Sequence, residues 1–367
     1  MRIAVPRERT ALEARVALVP ESVSKLVKAG AEVVVETHAG SSASFSDEQY
    51  TTAGATLAPD YASCVAGAHL VCKVQPPTAD ETAAIPEGAA VICYLQPAVY
   101  PDAVQRLNGR KASALALELV PRITRAQSMD VLSSQATISG YRSILLGASA
   151  LGRLMPMLST AAGTLAPAKC FVLGAGVAGL QAIATARRLG AIVSGFDVRP
   201  AAREQILSLG AQVLKVEGAD AEGSGGYARE QSAEQAQKTQ DAIAAHVAQM
   251  DLVITTAAIP GKRAPLLLNE AAIAGMKAGA VIVDLAAETG GNCAGTKAGE
   301  TVHVNGVTIL GPVNVPSQAS FHASQMLSRN ILTLLQHLMT TEGTLNLDAA
   351  DEITGAMLVC QNGTVRS

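Results

Sequence analysis

The chain has 367 residues, of which 49% are apolar and 16% charged, and its 28 basic and 31 acidic side chains give a formal net charge of −3. With 3% aromatic residues and no tryptophan, such a chain lacks the basic face and stacking platforms that nucleic-acid binding needs. The high apolar fraction excludes a disordered chain, and the length fits two ordinary domains.

The mean hydropathy is positive, at +0.27, which raises the question of a membrane span. A span needs about 20 apolar residues without charge. The uncharged run 170–186 is broken by three glycines, and 301–328 carries histidines, asparagines and prolines. The first residues start a strand and keep Glu8 and Glu13, unlike a secretory signal or a transit peptide. The sequence therefore predicts a cytoplasmic chain without a span of its own.

Short apolar runs alternate with helical patterns through the first third of the chain. The predicted strands are 2–5, 32–36, 69–74, 90–95 and 112–116. The predicted helices are 20–30, 47–53 and 101–108. Strands that alternate with helices are typical of a parallel, doubly wound sheet.

A second series of the same kind follows a helical stretch that starts after Asp130. Its predicted strands are 169–173, 191–197, 212–216, 252–255, 281–285 and 308–310. These patterns predict an α/β fold of two doubly wound, Rossmann-like lobes with a ligand cleft between them. A terminal helix at 324–337 is expected to pack back on the first lobe.

The lobes are therefore expected to comprise 1–132 with 323–367, and 133–322. The small residues of 218–226 predict a mobile surface loop. The six cysteines and six histidines follow no metal-ligand spacing, which predicts reduced, buried thiols and no metal site.

The strongest motif follows the predicted strand 169–173 and precedes an apolar helix at 180–189. It is a G-x-G-x-x-G fingerprint, whose glycines permit a tight turn, close approach to a pyrophosphate and helix–strand packing. The helix N-terminus also attracts phosphate groups. The sequence therefore predicts a dinucleotide site formed by Gly174, Ala175, Gly176, Val177, Ala178 and Gly179.

The choice of dinucleotide depends on Asp197, at the end of the next strand and 18 residues after Gly179. Its carboxylate can accept hydrogen bonds from the adenosine ribose and repels a 2′-phosphate, so NAD is favoured over NADP. Val198 belongs to the same predicted contact region. Arg199 keeps the other possibility open, because it could reach a phosphate in a different loop geometry; otherwise it is a solvated surface arginine.

Several segments resemble one family, shared by alanine dehydrogenase and the NAD(H)-binding component of proton-translocating NAD(P) transhydrogenase. They are the opening at 6–36, the CKVQPP at 72–77, the fingerprint and the ADEITGAMLVCQNGTVR at 350–366. The resemblance therefore covers the whole chain.

The two branches of that family differ in their chemistry. Alanine dehydrogenases place a catalytic histidine after an apolar strand, because deamination requires proton transfers; the matching residue here is Gln96. The aspartate that they place ahead of a glycine pair is also changed, in the AETGG of 287–291. Arg15 and Lys73 match substrate-binding positions of that branch, so they are either structural remnants or an anion site.

The segment 118–143 resembles the nicotinamide-site loop of the transhydrogenase branch. By that resemblance Arg122, Gln127, Asp130 and Ser133 hold the nicotinamide carboxamide and ribose. Hydride transfer between two nicotinamides moves no proton, so the protein must supply orienting hydrogen bonds rather than an acid or base.

The same resemblance implies further cofactor contacts. Thr256 and Ala257 lie in a cofactor-face loop at 255–262, and the segments 284–292 and 311–316 belong to the same face. Tyr227, with the glycines before it, fits a lid over the nicotinamide; the alternative is a flexible connection without that role.

A transhydrogenase also needs an NADP(H) site and a membrane part, so the resemblance, taken with one fingerprint and no predicted span, implies the separate soluble subunit of a split enzyme, which is prokaryotic in this family. The resemblance implies that NADP(H) binds to a partner subunit, that membrane partners translocate protons, and that the chain is a homodimer at the cytoplasmic face of the inner membrane. We expect it to bind NADH but to be active only with its partners. An NAD-dependent amino-acid dehydrogenase and a non-catalytic NAD-binding regulator remain alternatives.

Overall fold

The computed structural model describes residues 1–216, 232–258, 262–340 and 342–366. The chain divides into two compact units, Met1–Gln135 with Pro316–Ser367, and Ala136–Val315. The boundaries thus follow Gln135 and Val315, whereas the expected boundaries followed residues 132 and 322. The helix Val131–Ala150 runs through the first boundary, so no loop marks it.

The described residues form the following elements. The strands are β1 (Arg2–Val5), β2 (Glu32–Glu36), β3 (Thr56–Ala58), β4 (Leu70–Cys72), β5 (Ala90–Cys93), β6 (Ser113–Ala116), β7 (Leu158–Thr160), β8 (Gly163–Leu165), β9 (Lys169–Leu173), β10 (Ile192–Phe196), β11 (Gln212–Val213), β12 (Leu252–Thr255), β13 (Val281–Asp284), β14 (Thr301–Val304), β15 (Val307–Leu310), β16 (Leu358–Gln361) and β17 (Thr364–Val365). The α-helices are α1 (Pro20–Lys28), α2 (Asp47–Thr52), α3 (Tyr61–Val65), α4 (Ala79–Ala84), α5 (Pro101–Gly109), α6 (Val131–Ala150), α7 (Val177–Arg188), α8 (Pro200–Ser208), α9 (Ala233–Val247), α10 (Glu270–Ala274), α11 (Ser320–Leu338) and α12 (Glu352–Met357).

The first unit is built on a sheet whose described strands run in the order β17-β16-β6-β5-β4-β1-β2-β3. Strands β1 to β6 pair in parallel, as predicted. Ile3 and Val5 of β1 enter one hydrophobic core, and Ala4 between them enters a second. Because both faces of the sheet are covered, strands such as β1 and β2 are apolar on both faces except at their ends.

Helix α11 confirms that the C-terminal part of the chain returns to the first unit. Its apolar side, including Leu327 and Leu334, lies in the same core as β1 and β2. Ser324 accepts a hydrogen bond from the backbone N–H of Val16 at 3.0 Å. The helix begins at Ser320, four residues before the predicted start.

The second unit contains a sheet of order β11-β10-β9-β12-β13-β15-β14 among the described residues. All pairs are parallel except β14 with β15. After β9 the chain continues to β10 and β11 on one side and then returns to β12 on the other. In open α/β sheets, ligands bind at the carboxyl ends of the strands where the order reverses, which here is between β9 and β12.

Predictions differ from the structure mainly at short and peripheral elements. The antiparallel strands β14, β16 and β17, the parallel edge strand β3 and the hairpin β7–β8 were not predicted. Helix α7 begins at Val177 rather than at residue 180, directly after Gly176. The predicted loop at 218–226 lies outside the described residues. Within the described ranges, every helix is too short or too polar to span a bilayer.

Candidate functional site

The fingerprint forms the turn from β9 into α7, at the carboxyl end of the central strand of the second unit. Gly174 has a φ of +91°, which favours glycine, and a Cβ at Gly179 would lie 1.8 Å from the carbonyl oxygen of Gly174. A Cβ at Gly176, by contrast, would meet no atom within 4 Å. The fold therefore requires glycine at 174 and 179, whereas Gly176 borders open space.

That open space lies beside the N-terminus of α7, which suits an anion. Gly176 is the N-cap and supplies no side-chain cap, and Val177 is 43% exposed. The first N–H groups of a helix have no intrahelical partner and carry the positive end of its dipole. A diphosphate bridge therefore fits both the space and the charge of this turn.

Helix α6 packs against this turn through a glycine that the sequence analysis did not identify. A Cβ at Gly140 would lie 2.1 Å from the carbonyl oxygen of Ala178, so any larger residue would displace one of the two helices. A glycine inside an apolar helical pattern is the signal that could have revealed this close contact.

Asp197 contacts the fingerprint turn directly. Its Oδ2 accepts a hydrogen bond from the backbone N–H of Ala175 at 2.8 Å. The guanidinium of Arg199 donates to both carboxylate oxygens, from Nε to Oδ1 at 2.9 Å and from Nη2 to Oδ2 at 2.8 Å. Burial alone would raise the pKa of Asp197, but these donors outweigh it and the pKa lies below its ordinary value. Arg199 is thus an ion-pair partner of Asp197, which corrects its interpretation as a solvated surface arginine.

The loop after β12 contains Thr256 and Ala257 and is held by a buried polar network. Thr256 Oγ1 donates to the carbonyl oxygen of Gly174 at 3.0 Å, which ties this loop to the fingerprint. The side chain of Asn292 accepts from the N–H of Ala257 at 3.0 Å and donates to its carbonyl oxygen at 2.8 Å. Asp284, fully buried, accepts the N–H of Asn292 at 2.8 Å. Sequence reasoning identified the segment 284–292 but not these two supporting side chains.

The segment that contains the remaining candidates belongs to the first unit. A 3-10 helix, Thr124–Met129, leads into α6. Asp130 accepts the backbone N–H of Ser133 at 2.9 Å and its hydroxyl at 2.6 Å, so the structure brings these two candidates together. Arg122 and Gln127 lie on the same segment with exposed side chains.

Two side chains near the C-terminus fix this segment, and neither was predicted. Asn330 on α11 donates to the carbonyl oxygen of Ser128 at 2.7 Å. Arg125 pairs with Asp351 at 3.0 Å, and His337 contacts the other oxygen of Asp351 at 2.9 Å. The contact from the N–H of Thr354, supported by those from His337 and Arg125, lowers the pKa of Asp351. The supporting residues lie about 200 positions away along the chain, so no local pattern could indicate them.

The sequence matches two family models and several characterised proteins. The model of the alanine dehydrogenase/PNT N-terminal domain matches residues 4–139, and that of the C-terminal domain matches residues 143–367. The chain belongs to the alanine dehydrogenase/PNT family. It is 46% identical to the first part of the NAD(P) transhydrogenase subunit alpha of Rhodospirillum rubrum, with 100% of this chain and 97% of the relative covered. It is 30% identical to an alanine dehydrogenase of Halomonas elongata, with 90% and 86% covered.

Solved structures agree with this family membership. A transhydrogenase from Sinorhizobium meliloti matches with a TM-score of 0.92 at 42% identity and covers all of both chains. An L-alanine dehydrogenase matches with a TM-score of 0.82 at 28% identity, covering 100% of this chain and 96% of that one. The two branches of the alanine dehydrogenase/PNT family therefore share this fold, and residues at the site must distinguish them.

Gln96 occupies the position that the resemblance assigns to the catalytic histidine of the dehydrogenases. Its φ is +43° and its side chain is exposed. The backbone N–H groups of Leu95 and Gln96 both donate to the carboxylate of Glu118, and burial raises the pKa of that carboxyl. An amide side chain cannot act as a general acid or base, so position 96 contributes no proton transfer.

Arg15 is buried and its donors are used within the first unit. Nε and Nη2 each donate to Glu13 at 2.8 Å, and Nη1 donates to Gln135 at 2.9 Å. Burial would raise the pKa of Glu13, but the contacts from Arg15 lower it to about 2. The pair is therefore ionised at neutral pH, and Glu13 neutralises the charge that a substrate carboxylate would need.

Lys73 is similarly paired. It is 1% exposed, and its Nζ lies 3.3 Å from a carboxylate oxygen of Glu8 and 3.3 Å from one of Glu81. Breaking a buried ion pair leaves an uncompensated charge. Lys73 and Arg15 are therefore both held in buried ion pairs of the first unit, which favours the structural alternative over an anion site.

The remaining predictions concern a lid, a metal site and the cysteines. Tyr227, with the predicted lid, lies outside the described residues. Among the described residues, no group of three or more histidine, cysteine or acidic side chains could hold a metal ion. The six cysteines are free and buried, which confirms that prediction; burial raises the pKa of the Cys170 thiol to about 12.

Proposed function

We propose that the chain binds NAD(H) on its second unit and exchanges hydride with NADP(H) held by a partner subunit of a proton-translocating transhydrogenase. The observation that carries this proposal is the 46% identity to a transhydrogenase subunit along 97% of that relative. The open space at Gly176 supports it, because a dinucleotide needs close approach of its phosphates to this turn.

The adenosine half of NAD(H) is proposed to bind at groups of the second unit. The α7 N-terminus binds the diphosphate, Asp197 and Val198 face the adenosine ribose, and the loop of Thr256 and Ala257 borders the dinucleotide. The bound nicotinamide supplies the hydride acceptor or donor carbon. The protein groups supply binding and orientation.

The nicotinamide half depends on the segment 122–133 of the first unit. Arg122, Gln127, Asp130 and Ser133 are together proposed to hold the nicotinamide carboxamide and its ribose. Asp130 and Ser133 are already hydrogen-bonded to each other, so their geometry is fixed before binding. Hydride transfer needs only such orientation, and Gln96 is consistent with that requirement.

The central experiment uses the purified chain together with membranes or NADP(H)-binding protein from the same source. We expect NADPH to reduce an NAD analogue only in the mixture, while the chain alone binds NADH. No transfer in the mixture, with NADH oxidation by the chain alone in the presence of pyruvate and ammonia, would support the amino-acid dehydrogenase instead. The buried pairing of Arg15 and Lys73 argues against that alternative.

The roles of Arg122 and Asp130 can be separated from cofactor affinity. Arg122→Ala and Asp130→Asn should reduce hydride transfer much more than NADH affinity, because the adenosine half remains bound. Arg329→Ala, which removes an exposed arginine of the same unit, serves as the control. Equal loss of affinity and transfer would contradict the assigned roles.

We also propose that the chain is a homodimer and that the hairpin β7–β8 contributes to the contact. The hairpin forms a separate two-stranded sheet, and Met157 and Leu165 are 63% and 54% exposed. A two-stranded hairpin is at best marginally stable by itself, and exposed apolar patches are typical of protein contacts. Light scattering should show a dimer that Leu165→Glu weakens and Leu207→Glu, at an exposed leucine of α8, does not. A monomeric wild type would contradict this proposal.

A further inference from the structure

The carboxylate that is expected to bind the adenosine ribose already has a full set of donors. Oδ1 of Asp197 accepts the backbone N–H and the Nε of Arg199, both at 2.9 Å. Oδ2 accepts the Nη2 of Arg199 and the N–H of Ala175, both at 2.8 Å. A carboxylate has about four acceptor positions. Asp197 therefore has no acceptor position left for ribose hydroxyls while Arg199 is in place.

The four donors differ in how easily they can leave. The N–H of Ala175 belongs to the fingerprint turn, and that of Arg199 belongs to the N-cap of α8, so the backbone fixes both. The Arg199 side chain is 22% exposed and can rotate toward solvent. Its departure would free one acceptor position on each oxygen of Asp197.

Those two positions match the chemistry of a ribose diol. A guanidinium places two parallel N–H donors on a carboxylate, and the neighbouring 2′- and 3′-hydroxyls of a ribose can place two O–H donors on the same oxygens. A 2′-phosphate carries acceptors and replaces one of those hydroxyls. A ribose with a 2′-phosphate therefore offers one O–H donor and cannot replace both N–H donors of the guanidinium.

Building on the proposed NAD(H) site, we propose that Arg199 is an internal competitor of the adenosine ribose: its guanidinium occupies Asp197 in the free chain and is displaced when NAD(H) binds. The displacement lowers affinity for NAD(H), which favours rapid exchange of the nucleotide. Asp197 itself disfavours NADP(H), with or without Arg199, because its carboxylate repels a 2′-phosphate and a ribose that carries one has only one hydroxyl to offer.

The test is an NADH titration of the full chain, followed by nicotinamide fluorescence. Arg199→Ala should lower the Kd for NADH about three- to tenfold, because a charge-assisted, partly exposed ion pair no longer has to open. Arg203→Ala is the matched control. It removes a neighbouring arginine of α8 whose Nε donates to the backbone carbonyl oxygen of Asp197 at 3.1 Å, and it should leave the Kd close to that of the wild type.

Two further measurements separate competition from general charge effects. Arg199→Lys keeps the positive charge but not the forked donors, so its Kd should lie between those of the wild type and Arg199→Ala. For NADPH, Arg199→Ala should give no gain in affinity. Thermal melts of each variant establish that it is folded, and Arg199→Lys decides the outcome if the alanine variant is not.

The outcomes distinguish this inference from the function on which it rests. A wild type that does not bind NADH overturns both. A wild type that binds NADH, with variants that bind it equally or more weakly, overturns the competition alone. An equal gain in affinity for NADH and NADPH also overturns it, because the gain would then not depend on the diol.

Discussion

Gly176 and Gly179 lie three residues apart in the fingerprint, yet alanine should have opposite effects at the two positions. In Gly179→Ala the new Cβ would lie 1.8 Å from the carbonyl oxygen of Gly174, so α7 must move away from β9. Overpacking costs about 1–3 kcal/mol, and a clash with backbone at this distance belongs at the upper end. For a unit of this size, about 3 kcal/mol lowers the Tm by roughly 6–12 °C.

Gly176→Ala should leave the fold intact and impair binding. Gly176 has φ −74° and ψ −168°, which alanine adopts readily, and its Cβ would meet no atom within 4 Å. The lower entropy of the unfolded chain offsets the weaker N-cap, so we expect a Tm within about 3 °C of the wild type. The methyl group fills the space proposed for the diphosphate, and the same overpacking range of about 1–3 kcal/mol corresponds to a Kd for NADH raised roughly 5- to 150-fold.

Thermal melts and fluorescence titrations of the two variants test both expectations. The wild type and Gly152→Ala, at a glycine whose Cβ also meets no atom within 4 Å, are the controls. Wild-type NADH affinity in Gly176→Ala would refute the placement of the diphosphate at this turn. A wild-type Tm in Gly179→Ala would refute the close packing of α7 on β9.

Three further predictions concern the first unit. The folded pKa of Glu13, about 2, lies below the ordinary 4.5, so its ionised form stabilises the fold above about pH 4.5 and this contribution is lost as the pH falls through 2. Glu13→Gln should therefore cost about 3 kcal/mol near neutral pH, and melts at decreasing pH should show the difference narrowing. Asp351→Ala should lower the free energy of unfolding by about 1 kcal/mol, because it removes the N-cap of α12. It should also speed amide hydrogen exchange in 124–129, since Asp351 no longer pairs with Arg125; unchanged exchange would contradict the role of Asp351 in fixing that segment. Gln96→His should fold but oxidise no NADH with pyruvate and ammonia, because Arg15 remains paired; activity above the wild type would contradict this.

The sequence predicted the long, buried elements well, for a physical reason. Parallel strands such as β1 and β9 are covered on both faces, so they are continuous apolar runs bounded by turn residues. Strand β16 is also apolar, but its position depends on antiparallel pairing with β6, more than 200 residues earlier. Its place in the sheet follows from tertiary packing, which a local pattern does not encode. Strand β17, two residues long, has too few positions to show a period.

The candidate site also has features that the local sequence predicts and features that depend on distant contacts. The glycine fingerprint was predictable, because the positive φ of Gly174 and the close contact at Gly179 both arise within one short turn. The supports of the site were not, since Asn292, Asn330 and Asp351 act through contacts with distant segments. Arg199 shows a third case: the sequence placed it two residues from Asp197, but only side-chain geometry reveals that it occupies the carboxylate.

The two reactions found in this family place different demands on one fold. Deamination needs a proton-transferring group near the nicotinamide and cations to hold the substrate carboxylate. In this chain an amide replaces that group at Gln96, Glu118 binds the backbone beside it, and Arg15 and Lys73 are neutralised by buried carboxylates. Restoring a histidine alone would supply one requirement and leave the other unmet. We therefore expect that conversion of this chain toward deamination would require two changes together: a proton-transferring side chain at position 96, and release of the Arg15 and Lys73 charges from their carboxylates.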